Sequence, residues 1–60
     1  MKFRDLVKQI EADGWHLVRT RGSHRIYKHP RKPGTVTVAG KASDEVKPKT
    51  MSSIRRQAGI

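Results

Sequence analysis

The dipeptide Gly22-Ser23 narrows the possible folds of this chain more than any other feature. A Gly-X pair between two extended segments is the signature of a two-residue β-hairpin loop, because glycine supplies the positive φ that such a turn requires. Trp15 to Arg21 holds Trp15, Leu17, Val18 and Thr20, residues suited to a strand. His24 to about His29 forms the returning strand, ended by Pro30. The rest of the chain has to pack on this hairpin.

Before the hairpin, Phe3, Leu6, Val7 and Ile10 follow the spacing of one helical face, and Gly14 supplies a stop. A helix over about residues 2 to 13 is expected. It is short enough to need packing on its apolar stripe. After the hairpin, Pro30-Arg31-Lys32-Pro33-Gly34 reads as a loop. Thr35-Val36-Thr37-Val38 alternates with period two as a third strand, and Ala39 to Lys49 reads as loop closed by Pro48. Thr50 is a candidate N-cap for a second helix whose stripe is Met51, Ile54 and Ala58, ended by Gly59.

The expected fold is therefore α+β, in the order α-β-β-β-α. Short connections make the strands an antiparallel meander. Two short apolar stripes share one sheet, so both helices are expected on the same face, with the other face open. Period-two alternation sets His24, Ile26 and Lys28 on one face and Arg25, Tyr27 and His29 on the other. Ile26 and Tyr27 both favour burial, so the sequence leaves open which face His24 takes.

Sixty residues without a cysteine bound the chain to one small domain, 1–60, with no disulfide framework and no thiolate metal site. Few acids and three histidines also argue against a structural metal, and no cofactor motif is present. There is no long apolar run and no signal-peptide pattern, so the chain reads as a soluble cytoplasmic protein without a membrane partner.

Charge distribution says more than the net value of +9. Residues 1 to 14 balance Lys2, Arg4 and Lys8 against Asp5, Glu11 and Asp13. Residues 15 to 41 carry Arg19, Arg21, Arg25, Lys28, Arg31, Lys32 and Lys41 with no acid, which is +7. The positive field belongs to the folded middle of the chain, the footprint of a nucleic-acid-binding surface. The bland alternative is a basic surface that serves solubility.

Within that field His24 stands beside the turn, with Arg19, Arg21, Arg25 and Lys28 close in sequence. RNA carries its own nucleophile, the 2′-hydroxyl beside each phosphodiester, so one general base can start its cleavage. Imidazole suits the task because its unperturbed pKa of about 6.5 lies near working pH. Nearby cations would bind the phosphate and stabilise charge that builds on it. The same residues also describe a surface histidine over a phosphate-binding hairpin. His16 and His29 read as bystanders, His29 in a structural role at a strand end, although it is the nearest imidazole that could act as a general acid. Ser23 reads as a turn residue, since no acid lies near to complete a triad. Trp15 and Tyr27 could stack on bases, but with three aromatics in so small a chain their burial is expected. Thr50-Met51-Ser52-Ser53 could hold a phosphate at a helix start or simply cap it.

The stretch Gly22-Ser23-His24-Arg25-Ile26-Tyr27-Lys28-His29-Pro30 resembles the HicA family of toxins from bacterial toxin–antitoxin pairs. The similarity extends to Gly14-Trp15, to Thr35–Val38 and to the closing Ser53-Ile54-Arg55-Arg56-Gln57-Ala58-Gly59-Ile60, and so spans nearly the whole chain. The resemblance implies a fold like that of double-stranded-RNA-binding domains. It also implies ribonuclease activity on mRNA, neutralisation by a HicB antitoxin, and His24 as the catalytic histidine. Some members carry Pro-x-His after the third strand; here that stretch is Ala39-Gly40-Lys41, and the second histidine is absent.

These readings converge on a metal-independent endoribonuclease with His24 as base and Arg19, Arg21, Ser23, Arg25, Lys28 and Lys41 as RNA contacts. The competing readings are a non-catalytic RNA-binding module on the same fold and a DNA-binding accessory domain. Binding to RNA through this surface should release counterions. Affinity should then fall by roughly 0.7 log units per log unit of salt for each phosphate engaged. Arg21→Glu or Arg25→Glu should weaken binding to all RNA sequences alike. A titration flat between 50 and about 200 mM salt would contradict this electrostatic account.

Overall fold

Trp15 shows how the elements are joined. In the computed structural model, which describes residues 1–60, Trp15 is 2% exposed and its Nε1–H donates to the carbonyl oxygen of Ala58, 3.1 Å away. One side chain just after the first helix is thereby tied to the last turn of the second. The elements are α1 (Phe3–Asp13), β1 (His16–Arg21), β2 (His24–Lys28), β3 (Val36–Ala39) and α2 (Pro48–Ala58). The order is the expected α-β-β-β-α, with one antiparallel sheet in the order β1-β2-β3. This α+β arrangement is consistent with a double-stranded-RNA-binding-domain-like fold.

Phe3, Leu6, Val7 and Ile10 form the buried stripe of α1. They share one core with Trp15, Tyr27, Val36, Val38, Val46, Ile54 and Ala58. Tyr27, Val36 and Val38 are the sheet's contribution, so both helices cover the same face. Cross-strand pairing of Tyr27 with Val36 and of Arg25 with Val38 defines that face. His24, Ile26 and Lys28 therefore lie on the open face, which resolves the question left by the sequence.

The hairpin register pairs Arg21 with His24, leaving Gly22 and Ser23 as the whole loop. Gly22 has φ +58°, and no residue other than glycine has positive φ. Both facts fit a turn with glycine at the first central position. At the C-terminus of α1, Gly14 has φ +117°, and a Cβ there would meet His29 Nε2 at 2.6 Å. Conformation and space both require glycine at this position.

Several boundaries differ from the sequence expectation. β1 begins at His16, because Trp15 turns into the core. A register shift falls between Leu17 and Arg19, a bulge at Val18, and both Leu17 and Val18 are exposed on the edge strand. β3 runs from Val36 to Ala39, one residue later than expected at each end. The second helix starts earlier than the Thr50 cap suggested. Lys47 is its N-cap residue and Pro48 opens the first turn, where a missing N–H costs nothing. Pro48 thus begins a helix and does not close a loop. Within the expected loop, Val46 is buried and Glu45 bridges to Lys2. The N–H groups of Phe3 and Arg4 donate to the carbonyls of Asp44 and Ala42 at 3.0 Å, so backbone, not a side chain, caps α1. No helix is long and apolar enough to cross a membrane.

The Pro30–Pro33 loop ties the two helix ends together. Lys32 Nζ donates to Asp13 Oδ2 at 2.6 Å, to Ala58 O at 3.0 Å and to Gly59 O at 3.1 Å. A cation at the C-terminus of α2 also complements the helix dipole. His29 Nδ1 accepts from the N–H groups of Arg31 (2.9 Å) and Lys32 (3.1 Å). Nδ1 is therefore unprotonated, and Nε2 donates to Asp13 O at 2.7 Å. The ring packs edge-on against Trp15, with centroids 5.2 Å apart.

The hydrogen bond from Lys32, with the Lys32 charge beside it, holds the Asp13 carboxyl below the ordinary carboxylate range, although desolvation opposes the shift. A depressed carboxylate contributes stability above its unfolded pKa of about 3.9 and loses it as pH falls through the lower folded value. The N-terminal ammonium and Lys2 depress Glu45 in the same direction. Thermal melts at decreasing pH below about 4 should therefore show falling stability. Asp13→Asn should be less stable at neutral pH and should show a shallower acid decline, with the Glu45 part remaining. An unchanged acid decline in Asp13→Asn would contradict the assignment.

Candidate RNA-binding face

The antiparallel register arranges the open face in cross-strand rows. Arg21, His24 and Ala39 form the row next to the turn; Arg19, Ile26 and Thr37 form the next; His16 and Lys28 follow. His24 sits in the central strand with the Arg21 side chain on one flank and only the Ala39 methyl on the other. His24, Arg19, Arg21 and Lys28 are all exposed. No acidic residue belongs to any strand. The face therefore combines a solvent-accessible imidazole with three fixed cations, and nothing within the sheet neutralises them.

A shallow concavity of about 310 Å³ on this face is lined by Val18, Arg19, Ile26, Lys28 and Thr35. Ile26 gives it an apolar floor between two cations. No aromatic ring is available for stacking here. Trp15, Tyr27 and Phe3 are 2%, 2% and 6% exposed, all in the core. Burial pushes the Tyr27 phenol up from its ordinary pKa, although Arg25 opposes the shift. The base-stacking roles considered for Trp15 and Tyr27 are thus excluded by packing.

Ser23, Arg25 and Lys41 lie elsewhere. Arg25 points to the helix-covered side, where its guanidinium donates to Gly40 O at 3.4 Å. Together with Ser23, Lys41, Thr20 and Asp44 it lines an open pocket of about 420 Å³ behind the hairpin tip. The candidate contacts are therefore divided between two surfaces that meet at the turn. His29 is 7% exposed in its side chain and engaged at both ring nitrogens, so it is not available as a general acid. Thr50 and Ser53 lie inside α2, and a Gln57 bridge covers part of the β3 edge. Its Nε2 donates to Ser53 Oγ and its Oε1 accepts from Thr37 N–H.

Asp44 is the residue of this region that the sequence reading passed over. Its signal was present, since Asp44 and Glu45 are the only acids after residue 14. Nothing in the sequence indicated that the loop would bring Asp44 to the hairpin. No group of three or more His, Cys, Asp or Glu side chains is placed to hold a metal ion.

The fold defines a small α+β protein with one basic, open sheet face. A family model described as the HicA toxin of bacterial toxin–antitoxin systems matches residues 3–60. The chain belongs to the HicA toxin family. No curated protein matches it in sequence.

Proposed function

We propose that this HicA-family toxin is an endoribonuclease that cleaves mRNA in the cytoplasm, with His24 as general base. The observation that carries this reading is the position of His24: an exposed imidazole in the middle of a sheet face, beside Arg21 and without an acid among its strands. The imidazole removes a proton from a 2′-hydroxyl. The oxygen then attacks the adjacent phosphorus and the 5′-oxygen leaves. Arg21 stabilises the charge building on the phosphate, while Arg19 and Lys28 hold neighbouring phosphates in register. With His29 engaged in the loop, the departing 5′-oxygen takes its proton from water.

This scheme fixes the products: a 2′,3′-cyclic phosphate or its hydrolysed form on one fragment and a 5′-hydroxyl on the other. No step requires a metal, so activity should survive a chelator. Deoxyribose at the cut position should abolish cleavage with the protein unchanged, because it deletes the nucleophile. Cleavage of the deoxy-substituted strand, or products with 5′-phosphate ends, would refute the scheme.

The neutralising partner in this reading is an acidic HicB antitoxin. The open face is the surface it has to cover, since that face holds both the imidazole and the unpaired cations. A domain of this size is expected to be stable by only about 3–9 kcal/mol, so binding of the folded form alone should raise stability markedly. The complex should melt above the isolated chain, and His24 should lose solvent access within it. A neutralised complex in which His24 and Arg21 stay fully accessible would contradict steric inhibition.

A further inference from the structure

The pocket behind the hairpin tip carries charges of both signs that do not pair with one another. Arg25 and Lys41 line it together with Asp44, yet the ion pairs of the chain involve only Asp13 and Glu45 as acids. Asp44 is held in place from its own loop. Its Oδ2 accepts from Lys41 N–H at 3.4 Å, and its backbone N–H donates to Lys41 O at 3.0 Å. The carboxylate keeps further acceptor capacity that no group of the chain uses. Arg25 donates to Gly40 O, and Thr20 and Ser23 complete the wall.

A ligand that fits such a lining offers N–H donors to a carboxylate at one end and an anion to two cations at the other. A nucleotide has both. The pocket volume of about 420 Å³ is in the range of small-molecule sites. Two parallel donors on one base edge match a carboxylate best, and guanine presents its N1–H and N2–H₂ side by side. Adenine and cytosine present one amino group beside an acceptor, which would face the carboxylate with like polarity. Location supports the same conclusion. Ser23 and Arg25 flank His24 in sequence and alternate to the opposite face, so a single strand bent around the turn meets both surfaces.

We infer that the Thr20–Ser23–Arg25–Lys41–Asp44 pocket binds a guanine nucleotide of the RNA strand next to the cleavage site. Asp44 accepts from the guanine edge, and Arg25 and Lys41 hold its phosphate. The inference rests on the reading of the chain as an RNA-binding protein. It makes the substrate single-stranded at this point, since a duplex cannot fold around a two-residue turn.

The test uses binding to the full chain carrying His24→Ala, so that it does not depend on cleavage. Amide NMR titrations with 5′-GMP, 5′-AMP, 5′-CMP and inorganic phosphate would follow Gly22, Gly40 and Lys41. GMP should bind more tightly than the other three. Asp44→Asn keeps an acceptor for Lys41 N–H but turns a second acceptor into a donor. It should cost GMP roughly 5- to 150-fold in affinity, the range for losing a bidentate base contact, and leave phosphate binding undiminished. Lys41→Met should weaken all four ligands. Equal binding of the three nucleotides, or tighter binding of all ligands by Asp44→Asn, would show an anion site only and overturn the guanine assignment. No perturbation at these amides by any ligand would overturn the pocket itself. Either result leaves the role of His24 to be judged by cleavage.

Discussion

Everything in this small protein hangs on the junction where the two helix C-termini meet the 29–32 loop. Trp15 Nε1 and Lys32 Nζ both donate to Ala58 O, and Lys32 also reaches Gly59 O and Asp13. The last carbonyls of a helix have no partner within it. Here the loop between β2 and β3 supplies one for α2, while His29 does so for Asp13 of α1. The core has only eleven buried residues. Deleting one large core side chain costs about 2–5 kcal/mol, a large part of what a chain of this length has. A knot that fixes both helices against the sheet therefore decides whether the hairpin is presented at all.

Once both helices occupy one face, the other face follows. Tyr27 turned inward makes His24 and Lys28 turn outward, because alternation in a strand allows no other choice. The bulge at Val18 keeps Arg19 and Arg21 on the same face as His24 while β1 twists at the sheet edge. All three aromatic residues lie in the core, so in the proposed role charge is the main source of affinity on the outer face. In the proposed RNA-binding role, steep salt dependence and weak sequence readout on that face both follow from this one shortage. Sequence preference would then have to come from the pocket at the turn.

Much of this was legible in the sequence because the signals were local. The Phe3–Ile10 stripe, the Gly14 stop, the Gly22-Ser23 turn and the β-branched third strand each act over a few residues, and each of these elements appears within one residue of where it was expected. What was not legible depended on distant partners. Pro48 is compatible with closing a loop or opening a helix, and in the structure it opens α2 two residues after the buried Val46. The side of the sheet taken by His24 turned on whether Ile26 or Tyr27 was buried, and Tyr27 joins the core beside its cross-strand partner Val36. Arg25 reads in sequence as one more cation beside His24, but a single step along a strand places it on the opposite face. Asp44 reached the hairpin only because its backbone caps α1.

The central claim is that an exposed His24 acts as a base on a face that folds without its help. The most direct measurement compares cleavage, RNA affinity and the amide spectrum of the unaltered chain with those of His24→Ala. The account predicts a loss of roughly 10²–10⁴-fold in cleavage rate, with the spectrum preserved outside the turn and RNA affinity largely retained. Undiminished cleavage by a folded His24→Ala protein would contradict it.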